Sequence, residues 1–402
     1  MVSPVRWFSA DFSPINPGAV DTPSPQPNSR QPISDGLGDL VLKSRIDERT
    51  QELNALERPR QQLPAGEMKL AGYLLGRAVD NRPVEGAGLG RLREANATVE
   101  QSRQLLGMGR GNVAVDIEAT QGQSTRHAEA GRRLGREVQA HAKGVASRDV
   151  ASVAASVIAQ AGNCSEHANV ATHLHAGKLG PGEEVHATSH KKADHSWAEL
   201  KDKGGRDHHV VIDPWAEGPA IFAPDGEFTA KPDALKTRHA YDQQTGAQAH
   251  AEMGRLQGAL PQPMQRMFEE KLEELPGTYA YREGLIFAPT PAISKEFTAR
   301  VKAKMEAPID HSKLAAKPVK GGVLAFLSRW FKRPFSTPSG EAPATTVREH
   351  APVPVDAAAG VRERETLNQI KAIGVARALG SNVKNAALQA EDIVAAAKHL
   401  RG

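Results

Sequence analysis

The chain of 402 residues contains one cysteine, Cys164. A single cysteine excludes an intramolecular disulfide framework. Aromatic residues make up 4% of the chain. No dense basic run is interleaved with them, so no nucleic-acid groove is expected. Neither sign of charge dominates: 51 basic residues stand against 47 acidic ones, a net charge of +4. No apolar run approaches the length of a membrane span. The opening stretch MVSPVRWFSADFSPINPGAV lacks the continuous apolar segment of a cleavable secretory signal. Val2 after Met1 carries no N-myristoylation signal.

Proline and glycine are plentiful, 27 and 36 residues. That composition fits an ordered core with unfolded flanks. Residues 1–38 hold six serines and seven prolines and almost no apolar periodicity. Such a segment cannot bury a core, so it reads as a disordered leader. A Ser/Pro-rich, uncleaved leader resembles those of bacterial type III secreted effectors. That resemblance implies export into a host cell and a secretion chaperone acting at the N-terminal region.

Residues 39–145 read as a helical N-terminal region. DLVLKSRIDERTQELNALERP ends at a proline, as a helix should. EMKLAGYLLGRAVDNRP places Leu70, Tyr73, Leu74 and Ala78 on one helical face. RHAEAGRRLGREVQAHAKG and DVASVAASVIAQAG read as two more helices, each stopped by glycine. GMGRGN at 107–112 is glycine-rich, but no strand pattern precedes it, so phosphate binding is not favoured.

Residues 146–310 form the expected central domain. Within it, EEVHATSH, HSWAELKD and HHVVIDPW alternate and are separated by turn-like pieces, which predicts three antiparallel strands. Residues 233–310 return to helical patterns broken by prolines. KPVKGGVLAFLSRWFKRPF, 317–335, is basic and amphipathic. It reads equally as a helix for a host membrane surface or partner and as one packed on the core. A Pro-rich linker completes the stretch 311–358, and Ala-rich helices close the chain at 359–402.

The chemistry concentrates around Asn163-Cys164-Ser165-Glu166. Asn is a good helix N-cap, and Glu three residues later completes a capping-box pattern. Cys164 is then expected at the first helical position. Unpaired backbone N–H groups and the helix dipole favour an anion there, and so favour thiolate, the reactive form. Ala168, Ala171 and Leu174 continue the helix towards Gly177. Period two places His195, Trp197 and Glu199 on one strand face, and His209, Val211 and Asp213 on one face of the next. Asp213 precedes Pro214, which cannot extend a ladder. A hairpin can therefore bring Asp213 beside His195 and complete a nucleophile–base–orienter set. The backbone N–H of Cys164 and the side chain of Gln160 or Asn163 are candidate oxyanion donors.

A lone cysteine is more often a small buried hydrophobe, and a lone histidine more often structural. Trp197 and Trp215 read as aromatics that wall the site, and Glu199 as a salt-bridged or supporting residue. His173, His175, His208 and His209 read as surface or strand-edge residues. His209 would compete as base only by facing the site, and HHVV lacks the following Trp. A metal reading would use Cys164, His167, His186, His190 and His195. No C-x-x-C or H-E-x-x-H pair anchors it, so neither metal nor cofactor is expected.

GNC opening a helix, HSWAE on a strand and VVIDPW on the next resemble the G-x-C, H-x-W-x-E and D-P pattern of the transglutaminase-like branch of papain-like thiol enzymes. The resemblance covers roughly residues 150–230. It implies an α+β fold, with a Cys-bearing helix packed on a small antiparallel sheet bearing His and Asp. Cys164 becomes the nucleophile, His195 the base and Asp213 the orienter. Within that superfamily the chain looks most like the HopX/AvrPphE group of plant-directed bacterial effectors. That likeness implies a cysteine protease, deamidase or transglutaminase acting on a host protein. The competing expectation is a catalytically silent effector that binds a host partner through its helical regions.

Overall fold

The computed structural model describes residues 63–141, 146–259, 261–277, 285–310 and 357–401. The leader 1–38, the helix over 39–59, the basic segment 317–335 and the linker up to 356 lie outside the described residues. No described helix is long and apolar enough to cross a membrane.

The protein is mixed α+β. Helices α1 (Ala65–Val79) and α2 (Gly86–Leu105) come first, followed by a two-residue strand β1 (Gly109–Arg110). Helices α3 (Ala114–Ala119), α4 (Gln123–His141) and α5 (Arg148–Ala159) lead to a second short strand, β2 (Ala161–Gly162). Helix α6 (Cys164–Ala176) then enters a five-stranded sheet built from β3 (Glu184–His190), β4 (Ser196–Lys201), β5 (Val210–Ile212), β6 (Ile221–Phe222) and β7 (Leu235–Asp242). Helices α7 (Gln243–Ala259), α8 (Pro261–Glu273), α9 (Lys295–Glu306), α10 (Ala357–Ala378) and α11 (Val383–Lys398) follow.

The sheet order is β6-β5-β4-β3-β7, with every neighbouring pair antiparallel. The three alternating segments occupy its middle. β7 departs from the helical reading of residues 233 onward. Its side chains alternate, with Leu235, His239 and Tyr241 half-buried and Lys236, Arg238 and Ala240 exposed. Period two suits an edge strand, and β3 offers it a free ladder edge.

Helix α1 is also buried more completely than one amphipathic face requires. Leu70, Tyr73 and Leu74 are buried, but so are Ala71, Gly72, Leu75 and Gly76, while Ala78 is half-exposed. The C-terminal helix α11 packs across α1 so closely that a Cβ on Gly72 would lie 2.8 Å from Ala396 Cβ. Helix α5 ends on Gln160, which adopts the left-handed conformation at φ 53°, rather than on a glycine.

Two apolar clusters meet at α6. One joins α1, α10 and α11 to the sheet and includes Cys164, Ala171, Trp197 and Ile212. The other joins α4, α5, α7 and α8 to Val170 and Leu174. Because α6 is covered on both sides, His173 and His175 are core residues, each 1% exposed, not surface ones. His175 Nδ1 lies 3.0 Å from Thr98 Oγ1, and His173 stacks on His250 with ring centroids 4.5 Å apart.

Burial pushes His173 and His175 down to about 3 and His167 down to about 4. These groups stay neutral when folded but take up protons near pH 6.5 when unfolded. Their contribution is therefore present above pH 6.5 and is lost as pH falls towards 4. The expected loss is about 1–2 kcal/mol per histidine between pH 6.5 and 5. Urea midpoints across that range test it, and a midpoint independent of pH would contradict it.

Candidate active site

Asn163 is extended, at φ −97° and ψ −168°, and forms a capping box with Glu166 at the start of α6. Its backbone N–H donates to Glu166 Oε2 at 2.8 Å. Arg132 of α4 holds the same carboxylate, with Nε 3.0 Å from Oε1. Burial alone would raise the Glu166 carboxyl, but the Arg132 guanidinium and backbone N–H groups hold it below its ordinary range. A side chain at Gly162 would collide with Glu166 Cβ, so the tight entry to the helix requires glycine there. Cys164 follows as the first helical residue, 6% exposed, and its sulfur lies 3.9 Å from the Asp194 carbonyl oxygen.

Asp194 closes the β3–β4 turn, and His195 stands immediately before β4. The β4–β5 register pairs Ala198 with Ile212 and Glu199 with Val211. Continued by alternation, it puts His195 and Asp213 diagonally across one face. His195 Nε2 lies 2.6 Å from Asp213 Oδ2, with both residues 3% exposed. Asp213 Oδ1 accepts the Ala216 N–H at 3.1 Å. His195 Nδ1 is buried and has no hydrogen-bond partner among the described residues. Burial alone would lower the imidazole, but Asp213, and after it the Cys164 thiol, raise it to about 9. Asp213 responds reciprocally: burial would raise it, while the His195 charge and hydrogen bonds hold it low.

Three aromatic rings enclose this imidazole. Trp197 stacks on it at 5.6 Å, Trp215 tilts against it at 5.0 Å, and Phe228 lies at 4.2 Å. Phe228 belongs to no periodic segment, so nothing in the sequence marks it. Glu199 shares the face of His195 but is engaged elsewhere: its Oε1 lies 3.1 Å from His209 Nδ1. His209 is thus tied to Glu199 and does not compete for Asp213.

The residues of the metal reading are dispersed in other bonds. His167 Nδ1 bonds the Asn163 carbonyl at 3.0 Å, and His186 lies 2.8 Å from Glu184 Oε2. Among the described residues, no group of three or more His, Cys, Asp or Glu side chains could hold a metal ion.

Gln160 and Asn163 do not stand equally near the sulfur. Gln160 caps α5 at the start of β2, and its carbonyl accepts the Met108 N–H at 2.8 Å. It is separated from Cys164 by three extended residues, up to roughly 13 Å of chain. Asn163 belongs to the helix cap. The glycine-rich segment 107–112 has a structural part. Gly109 and Arg110 pair in parallel with Ala161 and Gly162, and Arg110 is held by Asp116 and Glu217. A cavity of about 300 Å³ is lined by Arg110, His167, Pro214 and Glu217 among others. Cys164 and His195 do not line it.

Comparison of the chain with protein-family models, curated proteins and solved structures finds no match.

Proposed function

We propose that the protein is a thiol-dependent acyl-transfer enzyme of the papain-like, transglutaminase-like kind. Cys164 is its nucleophile, His195 its acid–base group and Asp213 the orienter. The observation that carries this reading is the buried His195–Asp213 pair with its unused Nδ1, set beside a cysteine at the start of α6 whose sulfur lies 3.9 Å from the carbonyl of the residue before His195. Asp213 accepts the hydrogen bond of the Nε2–H and stays ionised, which leaves Nδ1 to exchange a proton with sulfur.

The steps follow from those positions. The Cys164 thiol passes its proton to Nδ1, and the sulfur attacks a carboxamide carbon. The tetrahedral intermediate collapses, and the departing amine or ammonia takes the proton back from Nδ1. Water or a second amine then gives Nδ1 a proton, attacks the thioester and releases the sulfur. Peptide cleavage, glutamine deamidation and amine crosslinking share this scheme and differ in the groups that leave and arrive. The Ser/Pro leader and the likeness to the HopX/AvrPphE effectors support placing the substrate among host proteins.

The test is a stopped-flow burst with p-nitrophenyl acetate. The wild type is expected to release about one equivalent of nitrophenolate per chain and to carry acetyl on Cys164, while Cys164→Ala gives no burst. A wild type with no burst above Cys164→Ala would overturn the reading.

A further inference from the structure

We infer that Asn112 is a catalytic residue of this same site, with its side-chain amide nitrogen donating to the oxyanion that forms when Cys164 attacks. The inference rests on the acyl-transfer reading and names the partner that reading lacks. A tetrahedral oxyanion needs fixed donors. The Cys164 N–H, at the first position of α6 where a helix offers no acceptor of its own, supplies one.

Backbone pairing brings the segment that leads into Asn112 alongside the segment that leads into Cys164. Gly109 pairs with Ala161 and Arg110 with Gly162 in a parallel ladder. The Gly111 N–H donates to the Gly162 carbonyl at 3.1 Å, which closes the Arg110–Gly162 pair. A Cβ on Gly111 would lie 3.1 Å from Asn163 Oδ1, so the two chains stay side by side towards the nucleophile. Two residues past the last paired positions stand Asn112 and Cys164.

The amide is oriented as well as placed. Asn112 is 5% exposed. Its carbonyl accepts the Phe287 N–H at 2.8 Å. Its Oδ1 accepts Trp215 Nε1–H at 3.0 Å. An indole nitrogen only donates, so oxygen must face Trp215 and nitrogen must face away. The Trp215 ring is the one that tilts against His195 at 5.0 Å, so the amide and the base share a wall. Asn112 Nδ2 donates to nothing among the described residues. The nitrogen is not sealed from solvent, so it stands open to an incoming group. A transient oxyanion would satisfy it, which is how a preorganised donor acts.

Two reactions of the same sulfur separate this role from a structural one. Acetylation by p-nitrophenyl acetate passes through a tetrahedral oxyanion, whereas alkylation by iodoacetamide does not. Asn112→Ala is expected to slow the acetylation burst about 10²–10³-fold and to change the alkylation rate less than about twofold. Asn112→Asp keeps an acceptor for Trp215 but replaces the donor with a charge. It is expected to show the same split, and it serves if the alanine variant fails to fold. Equal slowing of both reactions in the folded variants, or an unchanged burst, would overturn the inference. A wild type with no burst would instead remove the reading of Cys164 on which the inference rests.

Discussion

Asp213→Asn is expected to slow acetylation of Cys164 by about 10³–10⁴-fold with the fold intact. In the wild type, Asp213 Oδ2 accepts from His195 Nε2 at 2.6 Å, so the imidazole carries its first proton there. Nδ1 is then free to take the thiol proton. An amide at position 213 can donate to Nε2 instead. The imidazole then carries its proton on Nδ1, the wrong atom. The charge effect acts in the same direction. Burial pushes His195 down, and the carboxylate is the main reason it rises to about 9. Without that charge the buried imidazole loses the tendency to hold a proton beside sulfur. Burst kinetics with p-nitrophenyl acetate, with circular dichroism as the fold control, measure the effect. A loss below about tenfold would mean that Asp213 does not orient the base.

Asp225→Ala is expected to destabilise the protein by about 3–5 kcal/mol. Asp225 is 0% exposed and joins the N-terminal helices to the end of the sheet. It accepts the Tyr73 hydroxyl at 2.7 Å and Arg77 Nη1 at 2.6 Å, and Arg82 Nη2 lies 2.7 Å from its other oxygen. Tyr73 in turn accepts the Phe222 N–H at 2.9 Å. Alanine would leave a buried hydroxyl and a largely buried guanidinium without their counter-group. The urea midpoint should fall with little change in slope. A loss under about 1 kcal/mol would show that water replaces the carboxylate at little cost.

The parts of the site that were legible in the sequence are local ones. The Asn163–Glu166 capping box follows from a three-residue spacing. The shared face of His195, Trp197 and Glu199 follows from strand alternation, and Asp213 stops its strand before a proline. What was not legible depends on which segments meet. Strand β7 looked helical because its exposed Lys236 and Arg238 sit on a strand whose ladder partner lies more than forty residues earlier, near Ser189. His173 and His175 carry no mark of burial until α7 and α2 cover α6. Asn112 and Phe228 lie in segments with no period, brought to the site by Trp215 and His195 respectively. The two-residue ladder of β1 and β2 is too short for any pattern. Its one trace was the glycine run at 107–112, where a Cβ on Gly111 would lie 2.6 Å from Ala128 Cβ.

The central claim is that Cys164 reacts as a thiolate paired with His195. The most direct test is the rate of Cys164 alkylation by iodoacetamide against pH, in the wild type and in His195→Ala. It needs no substrate, and the chain's single cysteine makes the signal unambiguous. The account predicts fast alkylation that persists well below pH 8 in the wild type and is lost in the variant. A titration near the free-thiol value of about 8.5 in both proteins, or no reaction in either, would contradict it.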